Sequence, residues 1–259
     1  MQVLYRFRLF VLRAKRFLRT EKHSIQQELQ MKRCSVTAAI TVITVLMPVI
    51  GGYARDAEWI ETQSWEGTGT IQTNMFWVYG DKWRIRYRPR GVGVFQISVY
   101  DESGALLDMA ADLQEPLYGR ATRYDRGRRY LSINGSRCEW KVTVEQHLSI
   151  IEQWQLKQMR KRPHPELAKL GVWTGENGVV TESFRITDGS WRIHFRNGGE
   201  GLLQVRVYNQ SDELVAVAAN TSRVGEGTSW IHQSGDFKLD ISAENTNYIV
   251  EVLCRQAAR

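Results

Sequence analysis

The chain has 259 residues, 42% of them hydrophobic and 24% charged, and a formal net charge of +7. That excess lies wholly in residues 1–54, where nine Lys/Arg face two Glu; the remainder holds 26 basic and 26 acidic side chains. A neutral body lacks the cationic footprint of a nucleic-acid binder, and the length accommodates one or two domains.

Residues 1–30 interleave Tyr5, Phe7, Phe10, Leu12 and Phe17 with Arg6, Arg8, Arg13, Lys15, Arg16 and Arg19. They read either as a basic amphipathic segment on a membrane surface or as sequence upstream of a true start at Met31. From Met31 the pattern is that of a secretory signal. Lys32 and Arg33 open it, Val36–Ile50 is an apolar run, and Gly52-Tyr53-Ala54 offers small residues for cleavage after Ala54. Cys34 precedes the apolar run, so no lipoprotein cysteine follows it. The expectation is an exported protein, in the periplasm, at the cell surface or outside. If the leader stays as an anchor, it is the membrane contact.

The rest of the chain is a duplication. Shifted by 108 positions, residues 65–144 match residues 173–252 without a gap and are identical at 23 of 80 positions. Such self-similarity predicts two modules of one fold. The boundaries are leader 1–54 (extension 1–30, signal 31–54), module 55–145, helical linker 146–164 and module 165–259. Arg55–Ser64 and Pro165–Val172 read as lead-ins. Inside each module apolar residues alternate with period two: Trp83, Ile85 and Tyr87 against Arg84, Arg86 and Arg88; Phe95, Ile97 and Val99; Leu131 and Ile133; Trp140, Val142 and Val144. Asp101-Glu102-Ser103-Gly104 and Asn209-Gln210-Ser211-Asp212 read as hairpin turns. The predicted fold class is all-β: two tandem antiparallel β-sandwich, jelly-roll-like modules, joined by a short helix and preceded by an apolar signal helix.

Between the modules, Val144–Arg162 has neither Gly nor Pro and favours helix. Leu148, Ile151 and Trp154, with Ile150, form an apolar stripe. It reads as the packing face of a spacer helix or, alternatively, as a docking face with Trp154 as anchor. Behind the leader stand two cysteines, Cys138 and Cys254. In an exported chain they suggest a disulfide between the modules, with two separate buried thiols as the alternative.

The order of features in each module resembles the bacterial pre-peptidase C-terminal (PPC) domain. The matching residues are Phe76-Trp77-Val78, Val99-Tyr100-Asp101, Ser103-Gly104, Tyr130-Leu131-Ser132-Ile133 and Trp140 to Val144 in the first module. In the second they are Phe184-Arg185-Ile186, Val207-Tyr208-Asn209, Gly235 to Ile241 and Tyr248 to Val252. This resemblance implies a secreted, non-catalytic sandwich that accompanies enzymes. Trp-Arg-Ile-x-Tyr/Phe-Arg lies outside that profile, and no catalytic domain adjoins.

Motifs of nucleophile-elbow, phosphate-loop or zinc-protease type are absent from the sequence. No cofactor is expected. Asp101, Glu102 and Asp108, or Asn209, Asp212 and Glu213, suit Ca²⁺ chemically, but turn formation accounts for them. The recurring polar feature is the stripe Arg84/Arg86/Arg88 and Arg192/His194/Arg196. As a site it would offer guanidinium forks to an acidic envelope polysaccharide; otherwise it is a solvated strand face paired to acids such as Glu182 or Asp240. Trp65, Trp83, Trp173 and Trp191 recur and read as core. Trp77 alternates away from Phe76 and Val78 and is a candidate for stacking on a sugar ring or on another envelope protein. The expected function is non-catalytic binding in the envelope or outside the cell. The alternatives are a structural spacer, or a hydrolase with a site between the modules using His147 or His232.

Overall fold

The computed structural model describes residues 57–161 and 166–255; the leader and its cleavage point lie outside the described residues. In β3 (Trp83–Gly91) Trp83, Ile85, Tyr87 and Pro89 are buried while the arginines between them face out, as alternation along a pleated strand requires. β11 (Trp191–Asn197) repeats this with Trp191, Ile193, Phe195 and Asn197 inside. Trp83 and Trp191 are both fully buried. Cross-strand from the two aromatics Tyr87 and Phe195 stand Gly119 and Gly227, over which the rings lie; any Cβ there would collide with the ring.

The first half adds β1 (Glu58–Gln72), β2 (Phe76–Val78), β4 (Phe95–Asp101), β5 (Leu106–Leu113), β6 (Gly119–Arg123) and β7 (Gly127–Leu148). All seven strands join one antiparallel sheet with β7 as its spine. Up to Gly135, β7 pairs with β2, β4 and the end of β1; from Cys138 onward it pairs with β3 and the start of β1. Arg137 takes a positive φ of 58°, and β1 shifts register between Thr68 and Gly69. Both strands turn a corner there, and the sheet folds over itself into two layers. Of the stretch expected to be a lead-in, residues 58–64 thus belong to β1, and residues 55 and 56 lie outside the described residues.

Ser149 then caps α1 (Ile150–Arg160): its hydroxyl accepts from the Glu152 amide while Glu152 reaches back to the Ser149 amide. The helix begins later than its composition implies. Val144 and Leu148 remain in β7 because they alternate into the core, and Leu148 is fully buried there. Leu148 therefore does not share a stripe with Ile150, Ile151 and Trp154, which are exposed at 46%, 67% and 61%; Leu156 is the buried residue of the helix. The spacer-helix packing predicted for that stripe is overturned.

The second half comprises β8 (Leu167–Gly175), β9 (Val179–Val180), β10 (Phe184–Ile186), β11, β12 (Leu202–Asn209), β13 (Leu214–Thr221), β14 (Gly225–Ile231), β15 (Gly235–Glu244) and β16 (Tyr248–Arg255). They form two sheets, β10-β15-β12-β13 with β9 beside β15, and β14-β11-β16-β8. Asn245, 108 positions after Arg137, again has positive φ, and here the ladder breaks into β15 and β16. Gly104 and Asp212, like Gly127 and Gly235, are further pairs at this offset with positive φ. The described chain is mostly β in a sandwich, jelly-roll-like arrangement. Strand pairs stay within 58–148 or within 167–255, yet one apolar core runs through both. The Gln72 amide donates to Ser229 Oγ at 2.9 Å, and Thr68 and Thr221 hydroxyls meet at 3.2 Å.

Candidate functional site

The outer face of β3 shows the arginine stripe to be two different things. Arg84 and Arg86 both bind Glu145 on the neighbouring β7, Arg86 Nη1 at 2.7 Å from Oε1. Arg84 also stacks 4.0 Å above the Trp59 ring. Burial alone would raise the Glu145 pKa, but the two guanidiniums hydrogen-bonded to it hold the carboxyl below its ordinary value. The acids expected to pair with the stripe, Glu182 and Asp240, do not; Asp240 lies in another sheet and binds Arg206 at 3.0 Å.

One residue pair further along, compensation stops. Arg88 stands in register with Lys141 of β7, and Arg86 with Arg120 of β6. Lys141 reaches Glu66 at 3.9 Å, while Glu139, opposite Arg90, is bound by Arg223. Arg88 lies 5.3 Å from the Tyr118 ring. Among the described residues no carboxylate lies within ion-pair distance of Arg88, Arg90 or Arg120. Two hollows meet here: one of about 380 Å³ whose lining includes Glu66, Arg88, Arg90, Glu139, Trp140 and Lys141, the other of about 240 Å³ lined by Glu61, Arg86, Arg88, Lys141 and Thr143. Like charges in register repel by a few tenths of a kcal/mol or more, so this face gains from an anion laid across it. The Tyr118 hydroxyl, hydrogen-bonded to Arg86 and near Arg88, is held below the usual phenol pKa.

The second stripe differs. Arg192 lies 5.9 Å from the Trp230 ring, with its Nε buried and unpartnered. His194 Nδ1 meets the Thr228 hydroxyl at 3.3 Å and its Nε2 is 3.9 Å from Glu226. Glu251 on β16, opposite His194 and bonded to Lys169 at 2.6 Å, is held down chiefly by that lysine and also by His194 and Arg192. Arg196 is exposed beside a hollow of about 540 Å³ that includes Glu176 and Tyr248. At the repeat position of Glu145 stands Leu253, so the acids near this stripe are Glu251, two residues earlier on the same β16, and Glu226 on β14.

Trp77 projects outward, 44% exposed, stacked 6.1 Å from Tyr79 and 5.9 Å from the Arg128 guanidinium. It sits on β2, paired to the early part of β7, whereas the stripe occupies the outer face of β3 on the later part. The structure therefore does not bring Trp77 and the arginines to one surface.

The predicted disulfide is not formed: Cys138 and Cys254 are free. Cys138 lies beside Arg223, two residues from Gly225, which pairs through Asn197 with Tyr248. Cys254 is six residues further along β16, roughly 20 Å at strand rise, whereas a disulfide needs Cα atoms about 4–7 Å apart. Asp101 accepts from the Ser103 and Ala105 amides, and Asn209 does the same for Ser211 and Glu213, so both work as turn acceptors. Among the described residues no group of three His, Cys, Asp or Glu has the spacing to hold a metal. His147 packs 5.3 Å from Trp59, and His232 bridges Ser190 and the Thr73 carbonyl.

No family model and no curated protein matches the chain. Among solved structures it is similar to PBSX exported protein XepA, at 8% identity over 76% of this chain and 85% of that chain, with a TM-score of 0.27. It is also similar to a Cupin 2 conserved barrel domain protein from Leptotrichia buccalis, at 9% identity over 78% and 91% with a TM-score of 0.22, and to a fucolectin from striped bass (Morone saxatilis) serum, at 10% over 75% and 86% with a TM-score of 0.19. At these TM-scores the likenesses carry no argument about this chain's ligand or activity.

Proposed function

We propose that the chain is an exported, non-catalytic binding protein of two tandem, PPC-like β-sandwich modules, and that the first module's outer face takes an acidic envelope polymer. The duplication supports the two-module reading, as do the positive-φ residues recurring at its offset, Arg137/Asn245, Gly104/Asp212 and Gly127/Gly235. One observation carries the binding reading: Arg88 and Lys141 stand in register with no carboxylate for Arg88, at the junction of two open hollows. Guanidinium forks in that setting suit the carboxylate, sulfate or phosphate groups of a polysaccharide. The site is thus Arg88 with Arg90, Arg120 and Lys141, while Arg84 and Arg86 hold the sheet to Glu145.

The test is an array of glycans and envelope polymers probed with the exported protein and with an Arg88→Ser/Arg90→Ser variant. Binding to an acidic polymer that the variant loses, at unchanged melting temperature, establishes the face as a site. A wild type that binds nothing sinks the reading. It would leave the spacer, which the Glu145 pairing and the continuous core already favour as the second reading.

A further inference from the structure

At the end of the sheet where β1 begins and β7 finishes, α1 turns its apolar side away from the protein. Ile150, Ile151 and Trp154 are exposed, and at 100° per residue they share one face with Lys157 and Lys161; Leu156 and Arg160 lie on the other. That inner side is fastened: Arg160 donates to the Thr62 carbonyl at 2.5 Å and Gln153 to Glu58 at 3.3 Å. The loop before β7 meets the helix on the flank of that inner side. Arg126 reaches Glu152 at 3.5 Å, and Tyr124, 73% exposed, lies with Trp59 around the Lys82 ammonium, 5.8 and 5.7 Å away. Two isoleucines and a tryptophan thus face solvent beside Lys157 and Lys161.

We infer that this end rests on an anionic phospholipid surface, with Ile150, Ile151 and Trp154 entering the headgroup boundary. Three features of the chain favour lipid over a protein partner. The apolar residues are flanked on their own face by Lys157 and Lys161, as at interfacial helices, where Lys stems lie along the acyl boundary while their ammonium groups meet lipid phosphates. Trp, here Trp154, is a side chain that favours that depth. The chain also enters this corner: Glu58, at the start of β1, is bonded to α1, so a leader retained as an anchor would join the protein here. The surface is separate from the Arg88 face and does not depend on it.

The test uses the full chain, expressed with its own leader, in flotation with phosphatidylglycerol-containing vesicles and with pure phosphatidylcholine vesicles. Ile151→Ser/Trp154→Ser alters only exposed positions, and a thermal melt checks its folding. Lys157→Glu/Lys161→Glu tests the charge. The wild type is expected to float with the anionic vesicles, the first variant to partition about tenfold less at unchanged melting temperature, and the second to lose its preference for anionic lipid. Equal flotation of wild type and Ile151→Ser/Trp154→Ser overturns the inference, because the leader alone would then account for it. So does a wild type that fails to float, or a dimer that this variant converts to monomers, which would make the occupant a second copy.

Discussion

The His232 ring lies 4.4 Å from that of Tyr130, across the two halves of the chain, and its Nε2 is 2.9 Å from the Thr73 carbonyl. A carbonyl only accepts, so Nε2 carries the proton, and Nδ1 takes the Ser190 hydroxyl at 3.1 Å. Burial holds the imidazole pKa below its usual value; the Thr73 bond opposes this and the Arg128 charge adds to it. The unfolded chain therefore binds this proton at a higher pH than the folded one. Stability from neutral His232 is complete above about pH 6.5 and is lost as pH falls from there through the lower folded pKa. Urea melts at descending pH should show that loss, and His232→Gln should flatten it. An unchanged slope in the variant would assign the pH dependence to other groups.

Glu145 and Arg88 separate structural from spare charge on one face. Glu145→Gln leaves Arg84 and Arg86 facing a neutral amide, and should cost about 1–2 kcal/mol, since both arginines keep some solvent. Arg88→Ser removes a cation opposite Lys141 and should stay within about 0.5 kcal/mol of wild type or raise the melting temperature. Equal destabilisation by the two substitutions would mean that Arg88 has a structural partner. The Glu145 carboxyl is held low, so its share of stability is present above about pH 4.3 and disappears as pH drops through the folded value.

These pairs also mark where sequence reasoning stops. Alternation around Trp83, Ile85 and Tyr87 exposes the core because a strand must bury every second residue, and the same logic points Trp77 outward. Nothing local shows that Glu145 faces Arg84, 61 positions away, or that Lys141 rather than an acid meets Arg88. Register is a long-range property set by how β7 turns at Arg137. The helix was visible in composition but its burial was not: Leu148 belongs to β7, and Leu156, on the side opposite Trp154, does the packing.

Cys138 and Cys254 should behave as independent thiols. Burial raises both thiol pKa values, so little thiolate exists at neutral pH. Alkylation without reductant should modify Cys138 slowly in the folded protein and both cysteines completely after unfolding, read by mass spectrometry. A peptide linking the two after non-reducing digestion would contradict the separation along β16. Cys138→Ser should leave migration on a non-reducing gel unchanged.

Gly69 is the position where β1 turns its corner beside β13 of the other half. Its φ is +73°, and a Cβ there would run into the Asn220 carbonyl of β13. Two costs add. An L-residue is strained at this φ by about 1 kcal/mol, and the collision is with backbone, which cannot swing away as a side chain does. Gly69→Ala should destabilise by at least about 2 kcal/mol, whereas Gly189→Ala, with nothing near its Cβ, should stay close to wild type. Because the clash pushes β1 away from β13, it should also loosen the Thr68–Thr221 contact. Amide exchange at Gln72, bonded to Ser229 across the same seam, should then quicken beyond what the global loss of stability explains. Exchange at Gln72 that tracks global stability alone would show the seam to be no weaker than the core on either side.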